Sequence, residues 1–562
     1  MITGKRFIRC SICILLALVL GMCGGKGEDP QSEARYAEFE RKIVDLYCDL
    51  HPLVSSRLGL YRADSLLFTF SERELVEAAH RLNGLLDDLD GFDLSALAPH
   101  RIDNLELLAN WIKGELFALE TVRNHRRNPL LYCWMIEEAL CGPCTRIDAP
   151  YDGERAAYEK RIARIPALCA HARDHLTDPA QPHVRLSIDL LDRLLTLFAE
   201  IEARASRRYG SPIGPIDEVR SAVEEFLDYI EYDLSQYAFG RLILGSENLS
   251  KILIYDELLD IDVNKMVQEA ERAIRKLESQ ALSLEKSLES IAVPGEDMLC
   301  TGMPIDSCIK ELISEIDTRS YEGKLIERIE EERIEIVFNG CRDASGELPA
   351  NPYLTIPPPD EPFSFAVFTP PFSGRDAATS LYMPRNLPDD TDTLLYQLLS
   401  ASAIVRSIGF ERIERGDTLR TIVGGQTFRI AWRIHNLMDC IETFPEKRLL
   451  LQSIFMREKI HALARMIVVF KLHAGTFTSE SAIEYLSTTA GVSMRRAGYE
   501  VTLAASSPSL AYSGLCILML EEMVKKAGLA RGRKKPHRFV RQLLLDNLDL
   551  PLPMIQNRIP GK

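Results

Sequence analysis

The clearest structural signal in this chain is the stretch SERELVEAAHRLNGLLDDL, residues 71–89 of 562. Ser71 and Glu74 have the spacing of a capping box, in which each side chain accepts a hydrogen bond from the other residue's backbone N–H. Apolar residues then recur at intervals of three, four or seven, which places them on one face of an α-helix: Leu75, Leu82, Leu85, Leu86 and Leu89. The stretch therefore predicts an amphipathic helix that begins after Ser71.

Helical periodicity extends from this stretch in both directions, from Ser32 to about Tyr237. A second stretch, from Val263 to about Ile291, mixes apolar residues with many charges and predicts a long helix or a helical hairpin. That segment either packs on the chain's own body or pairs with a partner as a coiled coil. The pattern returns at Thr393 and continues to about Leu545, where Ser481 and Glu484 predict another helix start.

The helical pattern is interrupted between residues 334 and 384, where short apolar runs are separated by proline pairs and triplets. Such runs are typical of short β-strands, since proline confines a strand to an edge or ends it. The predicted strands are Ile334–Phe338, Tyr353–Ile356, Phe363–Phe368 and Leu381–Met383. The predicted fold is therefore mostly α, a large helical scaffold with one small β-sheet at about residues 334–384.

Composition narrows the function classes. Hydrophobic residues make up 46% and charged residues 27% of the chain, which are ordinary values for a globular protein. The formal net charge of −15 would repel a phosphate backbone, so nucleic acid is not expected as a partner. The glycine-rich phosphate loops and the G-x-S-x-G serine elbow are absent from the sequence, which removes support for three common enzyme classes.

The N-terminus has the features of an export signal. Lys5, Arg6 and Arg9 precede the apolar run Ile12–Leu20, which is too short to span a bilayer and suits a signal-peptide core. The run ends in Leu20-Gly21-Met22-Cys23, which resembles a bacterial lipobox except that Met22 stands where a small residue is usual. The resemblance implies cleavage before Cys23 and its lipidation, which would anchor the chain on the extracytoplasmic face of the bacterial cell envelope. The alternatives are an ordinary secretory signal or an uncleaved anchor.

The predicted organisation is a signal peptide at residues 1–23, a glycine-rich tether at residues 24–34 and one continuous region at residues 35–562. We divide that region into an N-terminal helical array (35–240), long helices (241–333), short strands with proline-rich loops (334–390) and a C-terminal helical part (391–562). Ten cysteines lie beyond Cys23, too few for a disulfide scaffold of this length. Cys141-Gly142-Pro143-Cys144 spells a redox tetrapeptide, but helical spacing surrounds it and predicts an ordinary cysteine pair.

Several weak motifs, taken in order, resemble a bacterial family known as domain of unknown function 885, many of whose members are secreted or lipid-anchored. The resemblance covers about residues 35–558. Its motifs are His51-Pro52, Arg57-Leu58-Gly59-Leu60, Phe70-Ser71, Arg127-Asn128-Pro129 with Tyr132, Arg161, Pro166-Ala167-Leu168, Pro357–Pro359, Phe368–Pro371, Tyr382–Pro384, Arg465–His473 and Phe477-Thr478.

This resemblance implies a helical zinc-peptidase-like scaffold. In such a scaffold a helix reading H-E-x-x-P-G-H-H follows the strands, and a later E-G-W segment completes the metal site. Neutral imidazoles and a carboxylate would hold Zn²⁺, and a glutamate would take a proton from the bound water. Aligned to that pattern, this chain has Ser402 and Ala403 at the His-Glu pair, Ile408 and Gly409 at the His-His pair, and Gly424 at the start of the E-G-W segment.

A second argument does not depend on the alignment. No histidine occurs between His183 and His435, and no glutamate occurs between Glu361 and Glu411, so no shift of register restores the motif. The late segment also differs from the family pattern, since Val469 or Phe470 stands where an aspartate usually precedes the retained His473. We therefore expect a catalytically inactive homologue with no metal and no cofactor, acting by binding a peptide or another envelope ligand in the former active-site cleft.

Other metal sites and other functions stay open at this stage. His171 and His175 lie one helical turn apart beside Asp174, a spacing suited to two ligands, although solvated histidines are the commoner case. A residual site could also use histidines of the C-terminal half, namely His435, His461 and His473. The functional alternatives are a hydrolase with relocated catalytic groups around His473, Tyr512 and Ser506-Ser507-Pro508, and a purely structural envelope component.

Overall fold

The computed structural model describes residues 29–142, 150–290, 311–316, 318–319, 334–337, 366–368, 379–382, 395–396, 398–400, 417–531 and 536–559. The fold is mostly α, as predicted, with one small β-sheet. The helices before the sheet are α1 Pro30–Leu50, α2 Pro52–Arg57, α3 Glu72–Leu89, α4 Pro99–Phe117, α5 Asn124–Arg127, α6 Pro129–Cys141, α7 Glu154–Ile162, α8 Ile165–His175, α9 Gln181–Tyr209, α10 Ile216–Asp228, α11 Ser246–Glu257 and α12 Val263–Ser290.

The helices after the sheet are α13 Thr418–Val423, α14 Gln426–Ile441, α15 Arg448–His473, α16 Ser479–Ala490, α17 Met494–Ser506, α18 Tyr512–Arg531, α19 Pro536–Leu545 and α20 Leu552–Gln556. Shorter 3₁₀ or π segments connect several of them: Tyr61–Ser65, Leu94–Ala96, Ala118–Val122, Tyr229–Asp233, Leu234–Tyr237 and Pro508–Ala511.

The sheet consists of β1 Ile334–Val337, β2 Ala366–Phe368 and β3 Thr379–Tyr382, in the order β1-β3-β2. β1 pairs with β3 in parallel, and β2 pairs with β3 antiparallel. β1 and β2 fall within two of the four runs that the sequence predicted, and β3 overlaps a third, Leu381–Met383, but begins two residues earlier. The fourth run, 353–356, lies outside the described residues.

Helix starts follow the sequence signals in one case and depart from them in two. Ser71 caps α3 through the predicted capping box with Glu74. The first helix begins at Pro30, two residues before the predicted start near Ser32, because the Asp29 side chain accepts backbone hydrogen bonds there. The predicted start at Ser481 is wrong. Thr478 caps α16, and Ser481 is the third helical residue, whose hydroxyl accepts the Thr478 N–H at 2.9 Å.

Three apolar cores hold the helices together. One lies among α6, α8, α9 and α10, and a second among α1, α3 and α4. The third core contains α12, α14 and α15 together with the last helices of the chain. α12 is a single helix, and its buried residues Ala270, Ile274 and Leu277 share this core with α15, so it packs on the chain's own body rather than being left for a coiled-coil partner.

The segment after the sheet returns to the N-terminal array. α13 inserts Leu419 and Ile422 into the core formed by α1, α3 and α4. Asn104 of α4 donates hydrogen bonds to Asp417 Oδ2 at 2.7 Å and accepts one from Arg420 Nε at 2.7 Å. Burial makes such contacts strong, because an unpaired polar group there would cost about 1–3 kcal/mol. This network fixes the backbone that leads into Gly424.

Among the described residues, no single helix is both long and apolar enough to cross a bilayer. The segments Met494–Ser506 and Pro508–Leu529 meet those criteria only as a pair, and they are bent by 116° relative to each other. Many of their side chains, including Val501 and Leu515, are buried in the third core.

Candidate functional site

The turn between α13 and α14 occupies the position where the resemblance places the E-G-W segment. A Cβ atom on Gly424 would collide with the backbone carbonyl oxygens of Arg420 and Asp549. A Cβ on Gly425 would lie 2.7 Å from Pro551 Cα and 2.9 Å from Glu257 Oε2. Both distances are shorter than real Cβ contacts, and the Gly425 N–H donates to Asp549 O at 2.9 Å. This backbone has no room for a side chain at either glycine.

A carboxylate from another helix stands against this turn. Glu257, at the end of α11, accepts hydrogen bonds from the backbone N–H groups of Gln426 and Thr427 and from the Thr427 hydroxyl, at 2.5, 3.3 and 2.5 Å. No side chain of α14's own N-cap region makes a capping bond, so Glu257 caps the helix from outside. Desolvation of this buried carboxyl raises its pKa to about 7, although these hydrogen bonds oppose the rise.

Asp256 precedes Glu257 in α11, and the charge of Glu115 acts on Asp256; each of these two acids has an aromatic partner. Tyr512 donates a hydrogen bond to Asp256 Oδ2 at 3.1 Å, and His51 Nε2 lies 2.8 Å from Glu115 Oε1. α4 and α11 approach closely at Gly114, whose Cβ would lie 3.3 Å from Tyr255 Cβ. We call His51, Glu115, Asp256, Glu257 and Tyr512 the carboxylate cluster.

The electrostatics of the carboxylate cluster depend on how the protein surrounds each group. Asp256 keeps access to solvent, yet the surrounding protein desolvates it and raises its pKa to about 6, with the Tyr512 hydrogen bond opposing and the Glu115 charge adding to the rise. Desolvation lowers the pKa of His51, but the charge and hydrogen bond of Glu115 outweigh it and raise the pKa.

The chemical capacity of the carboxylate cluster is limited. Asp256 can exchange a proton near neutral pH, but it accepts a hydrogen bond from Tyr512, a tyrosine whose pKa burial raises well above the ordinary value. Glu257 is enclosed by the groups that it caps. Within the described part of the chain, no group of three histidine, cysteine, aspartate or glutamate side chains is arranged to hold a metal ion.

His473, the retained histidine of the late segment, has a structural role. Its Nδ1 accepts the Leu244 N–H at 3.1 Å, and its Nε2 donates to Ala504 O at 3.1 Å, so both ring nitrogens are engaged in the neutral form. Burial lowers its pKa to about 4. A histidine whose two nitrogens hold backbone groups of two segments has none left for a metal or a substrate.

Ser506 approaches a different histidine from the one that the sequence suggested. Its hydroxyl lies 2.9 Å from His183 Nε2 and also donates to Thr502 O at 3.1 Å. Burial lowers the pKa of His183 to about 4, and its Nδ1 is buried without a hydrogen-bond partner among the described residues. The pair therefore lacks the third group that orients the histidine in a serine-hydrolase triad.

The remaining candidate histidines are dispersed. His435 Nε2 donates to His537 O at 3.0 Å, and His461 Nε2 lies 2.8 Å from Glu500 Oε2. His171 and His175 lie on one face of α8, as their spacing predicted, with ring centroids 6.3 Å apart. The buried His125 adds a third ring, 5.8 Å from His175, yet these imidazoles form no metal-binding group.

Several predicted site residues lie outside the described residues: Cys23, Cys144, Ser402, Ala403, Ile408 and Gly409. Cys141 is described and is a buried thiol at the C-terminal end of α6. Thiol activation in redox tetrapeptides uses a helix N-terminus, so this placement fits the predicted ordinary reactivity.

Sequence reasoning missed Glu115, Asp256 and Glu257. One signal could have found the last two. Adjacent acids within the otherwise apolar run Ile252–Leu259 predict buried carboxyl groups, because helical periodicity places part of that run in the core. Their juxtaposition with Gly425, roughly 170 residues later in the chain, has no local sequence signal.

Two solved structures have a fold similar to that of this chain. One is described as "a putative lipoprotein of unknown function" from Shewanella oneidensis, with a TM-score of 0.66, 14% identity, and coverage of 93% of this chain and 99% of that one. The other is described as "the putative lipoprotein" from Colwellia psychrerythraea, with a TM-score of 0.63, 12% identity, and coverage of 93% and 98%. The chain shares their fold.

At these identities the likeness establishes the fold alone, over nearly the whole length of both proteins. The sequence matches no family model, and no curated protein matches it. The resemblance to domain of unknown function 885 therefore rests on the motifs quoted above. Of these, the described Arg161 is a buried scaffold residue, since it donates to Leu66 O at 3.1 Å and to Ala63 O at 2.8 Å.

Proposed function

We propose that this chain is a lipid-anchored protein of the bacterial cell envelope, a non-catalytic homologue of zinc-peptidase-like proteins that acts by binding a peptide or another ligand. The anchor is argued from Cys23 and its lipobox-like context. Two proteins of the same fold are described as putative lipoproteins, which supports the same assignment.

The observation that carries the non-catalytic part is the closed turn at Gly424. The chain has no histidine between His183 and His435, and the turn that would supply the final carboxylate ligand has no room for a side chain. The nearest described carboxylate, Glu257, is committed to the N-terminus of α14. A catalytic zinc needs three protein ligands and an open position, and this arrangement supplies neither from the described residues.

Metal analysis of the full-length chain tests this part. Purified in detergent and dialysed against zinc, the protein should retain no stoichiometric metal by atomic emission. It should also show no chelator-sensitive cleavage of a fluorogenic peptide library. One tightly held zinc per chain would refute the proposal. The double variant Ser402→His with Ala403→Glu should not gain hydrolysis, since one added imidazole and one added glutamate do not supply the three protein ligands that a catalytic zinc needs.

Fractionation tests the anchor. The Cys23→Ala variant should be exported and recovered in the soluble fraction, because a lipidated N-terminus is the anchor that the sequence suggests. Cys10→Ala, within the predicted signal peptide, is the matched control and should remain membrane-bound. Retention of Cys23→Ala on membranes after a high-salt wash would mean that another anchor exists.

The contact between Ser506 and His183 favours one second candidate, a serine-dependent hydrolase with relocated groups. Two features weigh against it. Ser506 ends α17, where the helix presents carbonyl oxygens rather than N–H donors for an oxyanion, and His183 Nδ1 has no carboxylate partner among the described residues. A fluorophosphonate probe decides between the two readings, since labelling of Ser506 that disappears in His183→Gln would establish the hydrolase.

A further inference from the structure

A second polar cluster lies where α14, α15 and α17 meet. His461 and Arg465 are four residues apart on α15 and so lie on one face of that helix. Arg496 and Glu500 have the same spacing on α17, and Arg433 projects from α14. We call Arg433, His461, Arg465, Arg496 and Glu500 the arginine cluster.

Glu500 is the carboxylate at the centre of this cluster. His461 Nε2 lies 2.8 Å and Arg496 Nε 2.9 Å from its two oxygens, whereas Arg465 Nη1 lies 3.8 Å from Oε2. Burial would raise the pKa of Glu500, but the hydrogen bond from His461 and the nearby positive charges outweigh it and lower the pKa to about 2. Glu500 is therefore ionised and is shared mainly by His461 and Arg496.

Arg465 is left without a hydrogen bond among the described residues. Its contact with Glu500 exceeds hydrogen-bond distance, and its Nε is buried without a partner. Its side chain is 24% exposed, so part of the guanidinium reaches solvent. A buried donor without a partner costs about 1–3 kcal/mol, and a charged group costs more, so an arginine kept in this state requires an explanation.

Two acidic and two basic side chains act on Arg465: Glu500 and Glu458, and Arg433 and Arg496. Both carboxylates have other partners. Tyr396 donates a hydrogen bond to Glu458 Oε2 at 2.8 Å, and Glu500 is shared by His461 and Arg496. Neither acid therefore makes a hydrogen bond to Arg465 in the described structure, and the guanidinium donors of Arg465 stay unused there.

We propose that Arg465, supported by Arg433, binds the free carboxylate group of a ligand. Arginine presents parallel N–H donors that match the two oxygens of a carboxylate. Glu500 acts as a positioning residue, since it binds His461 and Arg496 and leaves the guanidinium N–H donors of Arg465 available to a ligand. This inference rests on the proposed binding function and specifies that the ligand carries a carboxylate, as the C-terminus of a peptide does.

The test compares two probes that differ only in that group, N-acetyl-alanyl-alanine and its C-terminal amide, at constant ionic strength. The full-length chain in detergent is treated with phenylglyoxal, and modification of each arginine is measured by mass spectrometry. The acid should slow modification of Arg465 about tenfold or more and raise the melting temperature, whereas the amide should do neither.

Variants identify the residue. Arg465→Gln should abolish the stabilisation by the acid, and Arg465→Lys, which keeps the charge without the fork, should weaken it about tenfold. Arg457→Gln is the matched control on the same helix, since Arg457 is exposed and pairs with Glu285 instead. Its response should equal that of the wild type. Circular dichroism of each variant verifies that it is folded.

Four results would overturn the inference. They are equal effects of acid and amide, no effect of either, stronger protection by inorganic phosphate than by the acid, and an undiminished response in Arg465→Gln. The zinc and peptidase measurements do not depend on Arg465, so a failed carboxylate test with metal-free, inactive protein removes only this inference. Bound zinc with hydrolysis removes the proposed function instead.

Discussion

The carboxylate cluster and the arginine cluster both lie beside α14, but they differ in whether their charged groups are hydrogen-bonded. Glu257 receives three hydrogen bonds from the start of α14, and Asp256 receives one from Tyr512. In the arginine cluster, Glu500 is fully engaged while Arg465 makes no hydrogen bond among the described residues.

This difference separates structural from functional use of charge. A satisfied buried group fixes the geometry of its partners and contributes to folding. An unsatisfied one weakens the fold, and proteins tolerate such a loss mainly at sites that bind or react. The carboxylate cluster, which lies at the closed turn before α14, is therefore the candidate for a structural role, and the arginine cluster is the better candidate for recognition.

The largest expected loss of stability comes from introducing a side chain at Gly424. Gly424→Glu would place an acid where the resemblance puts the glutamate of the E-G-W pattern, but its Cβ would meet two backbone carbonyl oxygens, which cannot move as a flexible side chain can. We expect a loss of at least about 3 kcal/mol in the free energy of unfolding, or no folded protein. Gly424→Ala should show most of the same loss.

Gly528→Glu is the control for this variant, because no atom lies within 4 Å of a Cβ placed there on α18. It should be neutral or stabilising, since glycine within a helix costs about 1 kcal/mol relative to alanine. Urea unfolding compares the variants. A folded Gly424→Glu protein of near wild-type stability would show that the turn is open and would weaken the argument for a closed metal site.

Removing the cap on α14 should have the next largest effect. Glu257→Ala leaves two backbone N–H groups and the Thr427 hydroxyl without their acceptor, at an expected loss of about 2–4 kcal/mol. Glu247→Ala, on the exposed face of the same helix, supplies the control and should change stability by less than about 0.5 kcal/mol.

Glu257→Gln separates the charge from the hydrogen bonds. The pKa of Glu257 is raised from 4.5 to about 7, so its stabilising contribution is complete below about pH 4.5 and is lost as pH rises through about 7. Relative to wild type, Glu257→Gln should therefore gain about 3 kcal/mol between pH 4.5 and pH 8. If the difference in unfolding free energy between Glu257→Gln and wild type did not vary with pH, the Glu257 carboxyl would not be desolvated.

Tyr512→Phe tests Asp256, the solvent-accessible acid of the carboxylate cluster, and should change stability less than the Glu257 variants do. The Tyr512 hydrogen bond favours ionised Asp256, so its loss should raise the pKa of Asp256 above about 6. Stability should fall by about 1 kcal/mol. Carboxyl ¹³C shifts of labelled aspartate against pH provide the measurement, with the exposed Tyr232→Phe as control. An unchanged titration would place the hydroxyl out of contact with Asp256.

Local features of these regions could be predicted from the sequence, but their tertiary contacts could not. Helix positions and three strand positions followed from periodicity and proline spacing, which are local properties. The absence of the H-E-x-x-P-G-H-H motif followed from counting histidines and glutamates in one interval. The partners of Gly425 and Arg465 did not follow, because Glu257 and Glu500 reach them from other helices through tertiary packing. The start of α16 was missed by three residues, since Thr478 and Ser481 both have the chemistry of a cap.

The smallest expected effect is that of Arg465→Met on the stability of the ligand-free protein, and it best distinguishes the two clusters. Arg465→Met keeps much of the length and apolar volume of the side chain and removes a buried charge that makes no hydrogen bond in the described structure. Glu500 retains His461 and Arg496, so no carboxylate is left unpaired. The ligand-free variant should therefore be as stable as wild type or more stable by up to about 1 kcal/mol.

Arg496→Met, which removes a 2.9 Å contact with Glu500, should be less stable by about 1–3 kcal/mol and is the matched comparison. Thermal unfolding without added ligand measures both. If Arg465→Met were the more destabilised of the two, Arg465 would hold the fold together, and the arginine cluster would lose its distinction from the carboxylate cluster.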